Sequence, residues 1–239
     1  MSHIILVRHG QASFLGPDYD KLCANGEAQA GLLGEYWSRR SVVFGSVYSG
    51  PCVRQRETAR IVAEAYRSAG LAFPDTVVMS EFDEYQAEAV VRECLPQLLR
   101  VNAEIRALHR AYEDSSEFGD RRKTFQRLFE AVIAKWVAGE MIAPGIESWH
   151  EFCLRVERGL AQVVRDTAPA ASAVVFTSAG AIGAAMRRAL HLSAEDALQL
   201  TWMSRNASFS GFLASGERFT LSTFNAHPHL DGDGLLTYR

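Results

Sequence analysis

Arg8-His9-Gly10 follows directly on four consecutive apolar residues, Ile4-Ile5-Leu6-Val7. A short apolar, mostly β-branched run reads as a buried strand. A cation, an imidazole and a glycine are therefore delivered together to one strand end. Carboxyl ends of parallel strands are where open α/β sheets bind ligands, and Gly10 lets the backbone turn sharply and come close to a bound group. Three more stretches stand in the same position after a strand-like run. Ser49 to Arg56 carries Arg54 and Arg56, Glu81 to Tyr85 carries the carboxylates of Glu81, Asp83 and Glu84, and Thr177 to Gly180 is small and polar.

Gathered at one sheet edge, these loops offer arginines, an imidazole and a carboxylate. Arginine forks match phosphate oxygens bidentately. A neutral imidazole can attack phosphorus, and neighbouring guanidiniums favour that neutral form in His9. A carboxylic acid with a raised pKa can protonate a leaving oxygen. Phosphoryl transfer needs mainly positioning and charge neutralisation, so this set predicts a phosphate site with no metal and no cofactor.

The elements that must position these groups read as a parallel α/β sheet with a helical insertion. A polar loop, Phe14 to Asn25, has Gly16-Pro17-Asp18 as its turn, and a helix runs from Glu27 to about Arg39. Val42-Val43-Phe44 and Ser46-Val47-Tyr48, flanking Gly45, lead into a second strand; a helix follows over about Val53 to Ala69, then a strand at Thr76 to Met79. Ala87 to Ile146 shows only helical periodicity, in Glu88–Arg110 and Arg121–Ala138, with a polar break at Glu113 to Asp120. Ser148 and Glu151 have capping-box spacing before another amphipathic helix. Ala173 to Thr177 reads as a buried strand, followed by a small-residue helix to about Leu190 and strands at Ser208–Ala214 and Phe219–Phe224.

The bulk properties exclude several classes. A formal net charge of −3 provides no basic field for nucleic acid, and 48% hydrophobic residues over 239 supply a substantial core. No apolar run approaches the roughly 20 residues of a membrane span. Cys23, Cys52, Cys94 and Cys153 are far apart, which predicts reduced core thiols in a cytoplasmic protein. The first strand begins too early to leave room for a signal peptide. Trp136, Trp149 and Trp202 either fill cores or line an interface between two copies of the chain.

These stretches resemble the histidine phosphatase superfamily, which includes the phosphoglycerate mutases. Leu6 to Ser13 (LVRHGQAS) is similar to the family signature, Asp20 to Ala30 to its aspartate, glycine and Gln-Ala stretch, and Ser49 to Ala59 to its second arginine motif. Asn206-Ala207-Ser208 and Phe224-Asn225 with His229-Leu230 also fit. The resemblance implies a single domain over 1–239, a three-layer α/β/α sandwich with a mostly parallel central sheet and a helical cap at about 86–147. It implies a phosphohistidine on His9, clamped by Arg8 and Arg54, with Glu84 preferred to Glu81 as general acid. Gly10, Gln11, Ser13, Ser178, Ala179, Gly180 and His229 would then surround the phosphate.

One position departs from the family, which usually has Ser-His-Gly where this chain has Ser178-Ala179-Gly180. A lost charge-assisted hydrogen bond costs ~1.5–3 kcal/mol, or roughly one to two decades of rate. Thr177, Ser178, a backbone N–H at the following helix start, or His229 are the candidates to stand in. The implied activity is a phosphomonoester hydrolase of the histidine acid phosphatase type, weakened at Ala179, with a small phosphorylated metabolite or another phosphomonoester as substrate. A mutase and a phospho-ligand-binding protein without turnover are the alternatives.

Overall fold

A computed structural model describes residues 1–13, 20–232 and 234–238. The Gly16-Pro17-Asp18 turn lies outside the described residues. The chain divides into two compact units, Met1–Glu84 with Cys153–Arg239, and Tyr85–Phe152.

The first unit is built on six strands: β1 (Ser2–Arg8), β2 (Ser46–Ser49), β3 (Thr76–Val78), β4 (Ser172–Thr177), β5 (Phe209–Ser215) and β6 (Arg218–Ala226). They form one sheet in the order β3-β2-β4-β1-β5-β6. The first three pairings across it are parallel, and β5 and β6 run antiparallel at one side. The sheet is therefore mostly parallel, as expected. Register brings Arg8 opposite Thr177 and both Ser49 and Tyr48 alongside Phe176 and Val175. The four parallel strands thus end at one edge, and the loops that follow them leave the sheet together.

Helices cover both faces, which is why β1 and β4 are apolar without alternation. Helices α1 (Ala24–Ser38) and α2 (Val53–Ser68) pack Leu33, Trp37, Ala59, Val62 and Tyr66 on Ile5, Val7, Val47, Val174 and Phe176. Trp37 is 2% exposed and meets Phe44 and Phe209 edge-on or tilted, with ring centroids 5.1 and 5.5 Å away. The alternate residues Ile4 and Leu6 face the other way. Phe212, in register with Ile4, stacks on Phe219, over which Arg188 lies. Arg188 belongs to the helix Ala179–Leu190, which therefore covers that second face.

The second unit holds the helices α3 (Ala87–Val101), α4 (Ala103–Glu113) and α5 (Phe118–Val137). The single helix expected over Glu88–Arg110 is thus two. Asn102 is extended and its side chain accepts a hydrogen bond from the Ile105 amide at 3.0 Å, so it caps a new helix in the middle of an unbroken apolar rhythm. Trp136 and Trp149 fill a core here, packed with Tyr85 and Phe152 at centroid distances of 5.3–6.1 Å. Helix α6 (Trp149–Asp166) opens on the capping box that its spacing predicts: Ser148 Oγ accepts from the Glu151 amide, and Glu151 accepts from the Ser148 amide.

Helix α7 is Ala179–Leu190, and α8 (Ala194–Met203) has no counterpart in the sequence reading. Ser193 caps α8 by accepting from the Asp196 amide at 3.0 Å. The second strand is shorter than expected. Val43 is 77% exposed and the Val42 amide bonds the Trp37 carbonyl, so this stretch ends α1 instead of entering the sheet. Among the described residues, no helix is long and apolar enough to cross a membrane.

Trp37→Ala removes the ring on which this core face closes. It lowers stability by about 3–5 kcal/mol, read as a lower urea midpoint at unchanged m-value.

Candidate active site

The loop after β1 is fixed by its backbone. The His9 amide donates to Thr177 at 2.9 Å, and the His9 carbonyl accepts from the Ala207 amide at 3.1 Å and Asn206 Nδ2 at 3.3 Å. The Gly10 amide donates to Thr58 Oγ1 at 3.1 Å, and the Gln11 amide to Gln29 Oε1 at 2.8 Å. Two backbones cross here. A Cβ on Gly10 would lie 2.3 Å from the Gly26 carbonyl oxygen, and one on Gly26 would lie 2.1 Å from that of Gln11. Both positions require glycine for close approach, not for a special dihedral.

His9 is 7% exposed. Its Nδ1 faces the Gly10 carbonyl at 2.7 Å, and a carbonyl only accepts, so Nδ1 carries the proton. Nε2 then holds the lone pair and accepts from Arg54 Nε at 3.1 Å. Burial, and after it the charges of Arg54 and Arg8, push the His9 pKa well below the usual imidazole value; the Gly10 bond opposes them. This geometry holds the neutral imidazole, with its lone pair facing a guanidinium.

Arg54 stands in the first turn of α2 and is 9% exposed. Asp20 holds it, with Oδ1 2.7 Å from Arg54 Nη1, while Asp20 Oδ2 accepts from the Val53 amide at 2.8 Å. One carboxylate thus caps the helix and orients its arginine. Arg8 donates from Nη1 to the Ser204 carbonyl. Arg56 is exposed, on another side of α2.

The three carboxylates of the acidic loop point to different places. A 3-10 turn over Ser80–Phe82 turns Glu81 toward α6, where a Cβ on Gly159 would stand 2.6 Å from the Glu81 Cβ. Asp83 Oδ1 accepts from Cys52 Sγ at 3.0 Å and from the Glu84 amide at 2.8 Å. Glu84 Oε2 accepts from the Gly180 amide at 3.2 Å, at the first turn of α7 and beside Ala179.

Gln55, fully buried, ties three loops together. Its Nε2 donates to Ser178 Oγ at 2.8 Å and to the Phe82 carbonyl at 3.1 Å, and its Oε1 accepts from the Cys52 amide. Thr177 Oγ1 also donates to the Phe82 carbonyl, at 2.9 Å, so that hydroxyl is committed elsewhere. Gln11 Oε1 accepts from Asn25 Nδ2 at 2.8 Å, and the Ser13 amide bonds the Lys21 carbonyl.

The His229 ring packs on Phe209 and Tyr36, and neither ring nitrogen has a hydrogen-bond partner among the described residues. The Ala207 backbone lies near it without closing a well-formed bond, and burial drives the pKa down to about 4. One expectation changes: Cys23 and Cys52 are half-buried beside Gln11 and Asp83, not core residues, and burial raises the Cys52 thiol to about 12. Asp20, Gln29, Gln55 and Thr58 were not singled out as site residues from the sequence, although all four lie in the motif stretches themselves.

The chain belongs to the histidine phosphatase superfamily, branch 1, whose model matches residues 4–90 and 100–227. A search of curated protein sequences finds no match. Among solved structures it is similar to YhfR of Bacillus stearothermophilus, with 13% identity, 96% of this chain and 99% of that one covered, and a TM-score of 0.66. It is also similar to a phosphoserine phosphatase from Entamoeba histolytica, in complex with 3-phosphoglyceric acid, with 16% identity, 96% and 100% coverage and a TM-score of 0.62. A phosphoglycerate mutase from Bacillus anthracis matches with 15% identity, 95% and 94% coverage and a TM-score of 0.60. At these identities the likeness establishes the fold.

His229 binds fewer protons when folded than unfolded between pH 4 and its ordinary 6.5. Its contribution to stability is therefore complete above pH 6.5 and lost as pH falls toward 4. His229→Phe removes about 2 kcal/mol of the stability loss between pH 7 and 5, measured as the change in urea midpoint. The remaining loss has the same sign, since the His9 pKa is depressed too.

Proposed function

We propose that this protein is a phosphomonoester phosphatase working through a phosphohistidine on His9. The observation that carries this reading is the His9 ring itself: Nδ1–H is fixed on the Gly10 carbonyl and the Nε2 lone pair faces Arg54. Nε2 attacks phosphorus and the bond to the leaving oxygen breaks. That oxygen takes its proton from Glu84, while Arg8 and Arg54 neutralise the phosphoryl oxygens. Water, deprotonated by the Glu84 carboxylate, then attacks phosphorus. The N–P bond breaks, inorganic phosphate leaves and His9 returns to its starting state.

Glu84 is the acid in this reading because Glu81 is turned to α6 and Asp83 is engaged by Cys52 and the Glu84 amide. The Gly180 amide that Glu84 accepts from stabilises its ionised form. Transfer of that amide to a phosphoryl oxygen frees the carboxyl group to hold a proton. The same N–H, with Ser178 Oγ, stands in for the family histidine that Ala179 replaces. A small phosphorylated metabolite is the proposed substrate, and the helical unit Tyr85–Phe152 is taken for the family's cap. Gly10, Gln11 and Ser13 belong to the phosphate loop in this scheme, and His229 does not.

The test is phosphate release across a panel of phosphomonoesters. His9→Ala lowers kcat by about 10⁴-fold or more on every ester that the native protein turns over. Equal release by native protein and variant contradicts the mechanism. A native protein that binds phosphate tightly and releases none from any ester is instead a ligand-binding protein in which Ala179 has ended turnover.

A further inference from the structure

The loop that ends in Glu84 is held by a residue that the phosphoryl chemistry does not touch. Arg155, in the second turn of α6, directs one guanidinium nitrogen at three main-chain carbonyls of that loop. Nη1 lies 3.0 Å from the Ser80 oxygen, 3.0 Å from the Glu81 oxygen and 3.2 Å from the Asp83 oxygen. The remaining carbonyl of the run, that of Phe82, points away and is bound by Gln55 and Thr177. All four carbonyls before Glu84 are thus committed, three of them to a single cation.

Three carbonyl oxygens converging on one point repel one another, and such a turn opens unless a positive group holds it. Guanidinium suits this place. It stays charged at every working pH, and its planar fork is already in the required geometry. Gly159, one turn further along α6, allows the helix to approach the same loop closely at Glu81. The side chain of Glu84 follows directly from the last of the three carbonyls and reaches the Gly180 amide. A change in the peptide plane of Asp83 is therefore a change in the position of the Glu84 carboxyl group.

We propose that Arg155 is a positioning residue for Glu84. It fixes the Ser80–Asp83 backbone in the conformation from which Glu84 delivers its proton to the leaving oxygen. The proposal rests on Glu84 being the general acid. Proton delivery matters for an alkyl ester, whose alcohol is a poor leaving group, and far less for a nitrophenyl ester, whose phenolate leaves unaided.

The experiment compares kcat/KM for glycerol 2-phosphate and p-nitrophenyl phosphate in the native protein, Glu84→Gln, Arg155→Ala and Arg155→Lys. General acid catalysis contributes about 10²–10⁴-fold. The alkyl-to-aryl ratio is expected to fall by about 10²-fold in Glu84→Gln and about tenfold in Arg155→Ala, with most of it restored in Arg155→Lys. A merely structural role for Arg155 lowers both esters alike and leaves the ratio unchanged. A reduced ratio in Glu84→Gln with the native ratio in Arg155→Ala overturns the proposal and leaves the acid assignment standing. A native ratio in Glu84→Gln overturns the acid assignment and the proposal with it. If Arg155→Ala is not recovered folded, Arg155→Gln carries the same comparison.

Discussion

The site depends on the contact between Arg54 and His9. A guanidinium that donates into an imidazole nitrogen forbids a proton on that nitrogen, so His9 is held as a neutral ring. Burial acts in the same direction and is the larger cause. The two together select the charge state and the tautomer, because the Gly10 carbonyl takes the only ring proton. Asp20 makes the arrangement sustainable. It places a carboxylate on the far side of the guanidinium and ties it to the start of α2, so Arg54 is oriented before any anion arrives.

Such a contact needs four loops to keep register with one another, and each loop brings unpaired backbone groups out of the sheet. Burying those groups without partners costs about 1–3 kcal/mol apiece. Neutral side chains supply the partners. Gln55 joins the loops after β2, β3 and β4, Gln29 and Thr58 hold the loop after β1, and Asn206 holds the His9 carbonyl. Gln29 and Asn206 reach further, to Leu235 and Thr237 of the C-terminal tail. Amides and hydroxyls do this without adding charge, which leaves Arg54 and Arg8 as the charges that act on His9.

The central strands and the His9 loop were legible because burial on both faces writes a continuous apolar run, and because that run stops abruptly at a cation and an imidazole. The buried amides were not. Gln29 lies in the second turn of α1 and Gln55 in the first turn of α2, and sequence alone does not tell an amide facing solvent from one facing inward. The different directions of the Glu81 and Glu84 side chains come from a three-residue turn that no periodicity announces. The break between α3 and α4 was hidden because apolar spacing continues across Asn102, whose side chain was the one local signal. Helix α8 had a signal at Ser193 and Asp196, but its apolar face is short. His229 entered by family resemblance, and its environment of aromatic rings is a tertiary fact.

The most direct test of this account is to quench the protein in base within milliseconds of mixing with a turned-over phosphomonoester and to locate any phosphoryl group by peptide mass spectrometry. The account predicts an acid-labile, base-stable phosphoryl group on the peptide containing His9, formed and lost at rates compatible with turnover. Turnover with no label at His9, or with the label on another residue, would contradict it.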